Sequence, residues 1–529
     1  MPDATRPAAF RRALLSLALV PLAVVLSACG GGEDDEFAPE VTIADGKLIG
    51  RDSPGMYSYL GIPYAAPPVA ARRWQPPVAP AVWEGRKLAR EFQPHCAQPR
   101  SFYGAQTASE DCLYLNVFTP KTPGPHPVMV WIHGGAFYLG QSDSYLPTRL
   151  VAQGVVVVTF NYRLGLLGFM AHPALSAQQG GQSGNYGLMD QQAALRWVQN
   201  NIEAFGGDKA NVTIFGESAG GFSVHTHLAA PDSAGLFHKA IIMSGAYPFA
   251  LPQPTLAEAE AANTAAMASD CPSPQTAECL REQPVGAILN AQTAAYPAGI
   301  VPPVDGRVLP TSVQAALASG TYNEVPVMQG NTHDEWRLFV AETELTTGTP
   351  LSAAAYHPTV EATLGGAAMA DVAEAAYPVA NYPSPSVALG AFGTDLVFAC
   401  TGRISNRLQA NAGATVYAYE FNDASAPAVL PGGDTLSFPM GAAHTSELQY
   451  LFDMRALNES QQALSDAMVG YWTRFARTGN PNEAATPTAW PAFTAGNDTY
   501  LSLTPGAVAP TTGFTADHKC DTVWATLGS

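Results

Sequence analysis

Gly216-Glu217-Ser218-Ala219-Gly220 lies between an apolar, β-branched run at 212–215 and a helical pattern at 222–228. A serine at the sharp turn from strand to helix projects as a nucleophile, and glycines two residues to either side remove side chains that would collide there. The following helix aims free N–H groups and the positive end of its dipole at that serine, which favours developing negative charge. A second loop complements the first. The β-branched run at 128–133 leads into His133-Gly134-Gly135-Ala136-Phe137. Glycine backbone can approach a reacting group closely and take positive φ, so that N–H groups converge on one oxygen. The expected donors to such an oxyanion are the backbone N–H groups of Gly134, Gly135 and Ala219. Taken singly, each motif also fits an ordinary tight turn; the pair describes acyl transfer.

A serine hydroxyl is a poor nucleophile until an imidazole takes its proton, and the chain has eleven histidines. Where this elbow occurs, the acid and then the histidine follow the serine along the chain. That order removes His95, His126, His133 and His172. His225 and His227 fall on the helix behind the serine and read as packing or surface residues. They are two apart, so they do not share a helix face and make no metal pair. His238 opens the next strand. His333, His357, His444 and His518 stay open on the residues alone.

The elements that must hold these groups are short. Apolar runs at 128–133, 155–162, 212–215, 239–243, 325–329 and 415–421 alternate with helical patterns. Val155-Val156-Val157-Val158 is apolar on both faces, as a strand must be in a parallel sheet covered by helices. Leu188, Leu195, Val198, Ile202 and Phe205 mark one face of an amphipathic helix that stops at Gly206-Gly207. The expected fold class is α/β, a central, mostly parallel sheet flanked by helices with inserted loops over the active site. From residue 41 onward there is no second linker, repeat or low-complexity block. The 529 residues therefore read as one large domain at 41–529 rather than several.

Composition narrows the function. At 47% hydrophobic and 13% charged residues the chain is not disordered. A net charge of −18 argues against nucleic-acid partners and against anionic lipid surfaces. The first residues are different. Arg6, Arg11 and Arg12 precede an apolar run at 13–26 that contains Pro21, the pattern of a signal peptide at 1–28 rather than a membrane anchor. Leu26-Ser27-Ala28-Cys29 resembles the bacterial lipobox, which implies cleavage before Cys29 and lipid on its sulfur. Gly30-Gly31-Gly32 and Glu33-Asp34-Asp35-Glu36 then begin a flexible acidic tether at 29–40. Losing Asp3, Arg6, Arg11 and Arg12 with the leader takes the net charge from −18 to −20. The expected location is the bacterial cell envelope, lipid-anchored at the outer membrane because Gly30 follows the cysteine, or periplasmic or secreted if Cys29 is not lipidated.

Further segments carry a specific likeness. They are Gly61-Ile62-Pro63-Tyr64-Ala65, Glu110-Asp111-Cys112-Leu113-Tyr114-Leu115-Asn116-Val117, Asn161-Tyr162-Arg163 and the block at 201–221. Tyr471-Trp472, Phe475-Ala476 and Thr478-Gly479-Asn480-Pro481 follow near the end. Together they resemble the type-B carboxylesterase family, which includes cholinesterases and bacterial para-nitrobenzyl esterases, over residues 41–525. The resemblance implies an α/β-hydrolase fold and a serine carboxylic-ester hydrolase with Ser218 as nucleophile. It implies His444, in Gly441-Ala442-Ala443-His444, as base, and Glu335, in His333-Asp334-Glu335-Trp336, as the orienting acid. Asp334 is the alternative acid, and Trp336 stands where the family has glycine. The family counterpart of Ser244 hydrogen-bonds the acid.

The seven cysteines fit the same picture. With Cys29 given to lipid, six remain, and six allow 15 pairings. The resemblance selects Cys96–Cys112, Cys271–Cys279 and Cys400–Cys520, all of which need an oxidising compartment. Cholinesterases carry a choline-binding tryptophan in the first of these loops. Here that loop holds Phe102 and Tyr103 and no tryptophan, so a choline ester specialist is not expected. Regions near 287–303 and 339–385 would roof the site. The implied partner is a small-molecule ester, with membrane contact only through the lipid anchor. A lipase for long-chain esters and a non-catalytic adhesion relative are the alternatives; retained Ser218, His444 and both oxyanion glycines argue against the latter. No metal or redox cofactor is implied, since His-Glu-x-x-His, Cys-x-x-Cys and a phosphate-binding glycine loop followed by Lys are all missing. Activity should fall as pH drops through the pKa of His444, nominally about 6.5.

Overall fold

The alternation of side chains along each strand decides the layers. In the strand His126–Ile132, Val128, Val130 and Ile132 enter one apolar core while Met129 and Trp131 enter another. A strand apolar on both faces has to be covered on both, and it is. The computed structural model describes residues 37–247, 252–363, 366–484, 486 and 488–526. Among these, thirteen strands form one sheet. They are β1 (Phe37–Ile43), β2 (Gly46–Ser53), β3 (Met56–Pro63), β4 (Arg86–Leu88), β5 (Tyr114–Pro120), β6 (His126–Ile132) and β7 (Val156–Phe160). Then follow β8 (Gly207–Glu217), β9 (Lys239–Met243), β10 (Val327–Thr332), β11 (Val416–Phe421), β12 (Tyr500–Leu503) and β13 (Ala509–Thr511).

Their order across the sheet is β1-β2-β3-β5-β7-β6-β8-β9-β10-β11-β12-β13, with β4 beside β2. From β7 to β12 every neighbour is parallel. The two ends are antiparallel, β1-β2-β3-β5-β7 on one side and β12-β13 on the other. This is the expected mixed, mostly parallel sheet. The carboxyl ends of β6, β8, β9 and β10 lie side by side at its centre, where open α/β sheets place their ligands.

One face is covered by the helix Tyr186–Asn201, continued by a 3-10 turn Ile202–Phe205 and stopped by Gly206 at φ 80°. Its Leu188, Leu195 and Val198 pack on the Val128 side of the sheet. The other face carries Glu459–Thr478, opened by a capping box between Asn458 and Gln461. Leu464, Met468, Trp472 and Phe475 from that helix pack on the Met129 side. Pro385–Ala412 is long and apolar enough to cross a membrane, but 83% of its most apolar window is buried inside the protein. Burial inside the protein accounts for that composition.

One boundary differs from the sequence expectation. Residues 37–40, expected in the tether, already belong to β1, where Glu40 pairs with Lys47 and Arg86. The antiparallel strands β1–β3 carry no long β-branched run; β2 alternates half-exposed and buried positions, so the pattern that marks buried parallel strands is missing. Among the described residues, Cys96–Cys112, Cys271–Cys279 and Cys400–Cys520 are disulfide-bonded, as the resemblance implied. The signal peptide, Cys29 and most of the tether lie outside the described residues.

Candidate active site

β8 ends at Glu217 and the helix Ala219–Ala229 starts immediately after Ser218. Ser218 is left at φ 56°, ψ −124°, a strained conformation for a non-glycine residue that costs about 1–3 kcal/mol. The turn is fixed by the Ser218 N–H on the Met243 carbonyl (2.9 Å) and the Phe222 N–H on the Ser218 carbonyl (2.8 Å). A Cβ on Gly216 would lie 2.5 Å from the Gly220 backbone, and one on Gly220 would lie 1.9 Å from the Ile132 carbonyl oxygen. Only glycine fits at either place. Ser218 itself is partly exposed between the buried Glu217 and Ala219.

The glycine loop after β6 abuts this turn. A Cβ on Gly134 would come within 3.1 Å of the Ser218 Cβ, and Gly135 takes φ 106°. Among the described residues, no acceptor takes the N–H of Gly134, Gly135 or Ala219. His133 is not a base. It stacks on Tyr162 at 4.4 Å, its Nδ1 lies 2.9 Å from the Gly134 carbonyl oxygen, and burial pulls its pKa down to about 4.

The loop after β10 supplies the acid. Glu335 Oε2 is 2.5 Å from His444 Nδ1. Glu335 Oε1 accepts from the Ser244 hydroxyl at 2.5 Å and from the Thr332 N–H at 2.8 Å. Asp334 faces elsewhere, bound to Arg337 at 2.8 Å and to the Ala442 N–H at 3.0 Å. Trp336 sits at φ −71°, so the turn does not need the family glycine. Its ring is accommodated by Gly393, where a Cβ would come 2.2 Å from it. His444 Nε2 has no hydrogen-bond partner among the described residues.

Two further carboxylates surround that imidazole and were not singled out by sequence. Glu217 Oε1 lies 3.1 Å from His444 Nε2, unaligned for a hydrogen bond, and both Glu217 and Glu447 are buried. Their signals were present as the residue just before the elbow serine and the third residue after His444. Burial pushes the Glu217 carboxyl up to about 7, opposed by the His444 charge. Burial likewise raises Glu447 well above the usual carboxylate range. For His444 burial pulls down, but the charges of Glu217 and Glu335 outweigh it and the pKa rises to about 9.

The surroundings of His444 are aromatic. Phe339 and Phe398 place their rings 5.4 Å and 5.0 Å from it. Phe398 comes from a π-helical turn, Thr394–Ala399, a distortion frequent at functional sites. Tyr103, from the first disulfide loop, donates to Glu342 at 2.7 Å. His225 and His227 are fully buried behind the elbow, and His357 sits 3.6 Å from Asp371. His333 and His518 lie together in a separate cluster.

The carboxylesterase family profile matches residues 38–523. The chain belongs to the carboxylesterase family. This carboxylesterase is 36% identical over 473 residues to para-nitrobenzyl esterase of Bacillus subtilis (strain 168), covering 86% of this chain and 92% of that protein. It is 33% identical over 482 residues to carboxylesterase 5A of Felis catus, covering 84% and 85% respectively. A solved PNB esterase superposes with a TM-score of 0.76 at 34% identity, over 92% of this chain and 99% of the other. The carboxylesterase is thus a type-B serine carboxylic-ester hydrolase of α/β-hydrolase fold, and small-molecule esters are its substrates.

Proposed function

We propose that this carboxylesterase turns over esters through an acyl-enzyme on Ser218, with His444 as general base and Glu335 as the acid that orients it. The observation that carries this reading is one imidazole with Nδ1 fixed on Glu335 at 2.5 Å and Nε2 left without a partner. Glu335 selects the tautomer with the proton on Nδ1, so Nε2 can accept the Ser218 proton during attack. The imidazolium that forms is stabilised by Glu335. As the carbonyl oxygen becomes an oxyanion, the N–H groups of Gly134, Gly135 and Ala219 receive it; each donor is worth about 10²- to 10³-fold in rate. His444 then returns its proton to the leaving alcohol, and water repeats the sequence on the acyl-enzyme.

Phe339, Phe398 and the Tyr103–Glu342 pair frame the approach to His444. That setting suits esters of middling polarity to apolar character, in keeping with the para-nitrobenzyl esterase relative. A panel of para-nitrophenyl esters of increasing acyl length tests both points, with Ser218→Ala as control. Hydrolysis that peaks at short to medium acyl chains and disappears in Ser218→Ala is expected. Hydrolysis by Ser218→Ala at the wild-type rate overturns the mechanism, and a preference for the longest chains favours a lipase.

The cysteines support a working place in the cell envelope. Three disulfides use six of the seven, and such bridges persist in oxidising compartments. Cys29 is left for lipid after the leader at 1–28 is cut, giving a protein tethered at the bacterial cell envelope. Mass spectrometry of the mature N-terminus from the native host tests this. A diacylated or triacylated Cys29 is expected; an unmodified terminus at another residue rejects the anchor.

A further inference from the structure

The loop that carries Glu335 also carries His333, and its ring lies 5.4 Å from that of His518, near the C-terminal end. His333 Nε2 is 3.1 Å from Asp517 Oδ2. One ligand atom from each of His333, Asp517 and His518 can be chosen so that all three lie within 4.8 Å of one another. We propose that these three residues form a binding site for a divalent transition-metal ion of the zinc class. Two imidazoles and one carboxylate, with a position left for water, are a donor set that zinc accepts.

The shell behind the three donors is already built. Metal-binding imidazoles characteristically rest their other nitrogen on a carboxylate, which fixes the ring and raises its basicity. His333 Nδ1 lies 3.1 Å from Asp334 Oδ1. His518 has a carboxylate on each nitrogen, Asp395 Oδ1 at Nδ1 and Glu420 Oε1 at Nε2, both at 2.5 Å. An ion at either nitrogen has to part it from its carboxylate, and the other nitrogen keeps its own. Those outer carboxylates are themselves held, Asp395 by the Tyr377 hydroxyl at 2.6 Å and Asp334 by Arg337 and the Ala442 N–H.

Charge and access both allow an ion. Carboxylates of Asp334, Asp517, Asp395 and Glu420 face the four ring nitrogens, and that negative charge favours a cation. The positive neighbours are occupied, Arg337 by Asp334 and Lys519 by the Tyr377 ring at 4.5 Å. His518 is buried, but the side chains of His333 and Asp517 are 37% and 62% exposed. Metal–ligand bonds of about 2.0–2.2 Å require the three donor atoms to close to roughly 3.3–3.5 Å apart. The exposed Asp517 and the partly exposed His333 can close on the buried His518 to make that adjustment. A bound ion would brace the segment ahead of Cys520 against the loop that carries Glu335.

The test uses untagged, full-length mature protein, stripped with a chelator, given zinc chloride and passed through gel filtration. One zinc per chain by elemental analysis is expected, together with a raised melting temperature. His333→Gln and Asp517→Asn should each hold none, and Asp334→Asn should hold it about 10- to 100-fold more weakly. His357→Ala, which breaks the separate His357–Asp371 pair, should still hold one. Asp517 is mostly exposed, so its variant folds whether or not His333→Gln does. Wild-type protein that retains no zinc, or an Asp517→Asn variant that retains as much as wild type, overturns the proposal.

Discussion

His444 and His518 begin alike. Both are buried imidazoles with Nδ1 held by a carboxylate at 2.5 Å, and in both the surrounding carboxylates outweigh burial and raise the pKa. They part at the other nitrogen. His518 Nε2 is closed by Glu420 at 2.5 Å, whereas His444 Nε2 has no hydrogen-bond partner among the described residues and stands beside the elbow of a partly exposed serine. Burial and a shifted pKa therefore do not single out a base. What does is a nitrogen kept open while the rest of the ring is locked, next to a nucleophile that a substrate can reach.

The largest effect tests the open side of that comparison. Ser218→Ala should lower kcat on the order of 10⁶-fold, as loss of a triad nucleophile does, while the melting temperature stays near that of the wild type. The next tests the locked side. Glu335→Gln keeps the shape of the side chain but favours the wrong imidazole tautomer, so kcat should fall about 10⁴-fold. Asp334→Asn, one residue away and bound to Arg337 rather than to His444, should fall far less. Steady-state kinetics on one para-nitrophenyl ester distinguishes the two, and equal losses would leave the acid unassigned.

Stability should reverse the ranking of the histidines. His518→Ala leaves Asp395 and Glu420 buried without their shared counter-charge, a change that typically costs about 3–5 kcal/mol. His444→Ala also strips a counter-charge, but Glu335 keeps two donors, the Ser244 hydroxyl and the Thr332 N–H, where Asp395 and Glu420 keep one each, from Tyr377 and Asn422. Its loss should be clearly smaller. Denaturant midpoints of the two variants against wild type measure the difference, and equal midpoints would break the contrast.

How much of this could be read from sequence depended on distance along the chain. The elbow and the glycine loop are contiguous, and their glycines are required by contacts as short as 1.9 Å, so they stand out as local motifs. Most of the parallel strands carry an apolar run and are nearly as legible; Lys239–Met243 is found to the residue, whereas the short β12 escapes. His444 and Glu335 are 109 positions apart, and only the family pattern joined them. His333 and Asp517 are 184 apart, with no family pattern to join them, so the metal-site candidate emerged only when β10, β11 and the C-terminal segment were seen side by side. Glu217 sat in plain view inside the elbow. Its importance depended on knowing that its carboxylate folds back toward His444 rather than out to solvent, which no spacing rule reports.

Glu217 gives the smallest and most pointed prediction. A base works only when unprotonated, so kcat/KM falls as pH drops through the free-enzyme pKa of His444. The carboxylates around His444 favour its imidazolium, which places that acid limb above the nominal value of about 6.5 for an unperturbed histidine. Glu217→Gln removes the charge 3.1 Å from Nε2 and leaves Glu335 on Nδ1. With less negative charge to stabilise it, the imidazolium gives up its proton more readily, and the acid limb should move to lower pH by about one unit or more. A full pH profile of kcat/KM for wild type and Glu217→Gln reads the shift. A limb that stays in place would mean that Glu217 is protonated throughout the working range and that Glu335 alone sets the basicity of His444, which would make the open nitrogen, and not the extra carboxylate beside it, the whole of the difference from His518.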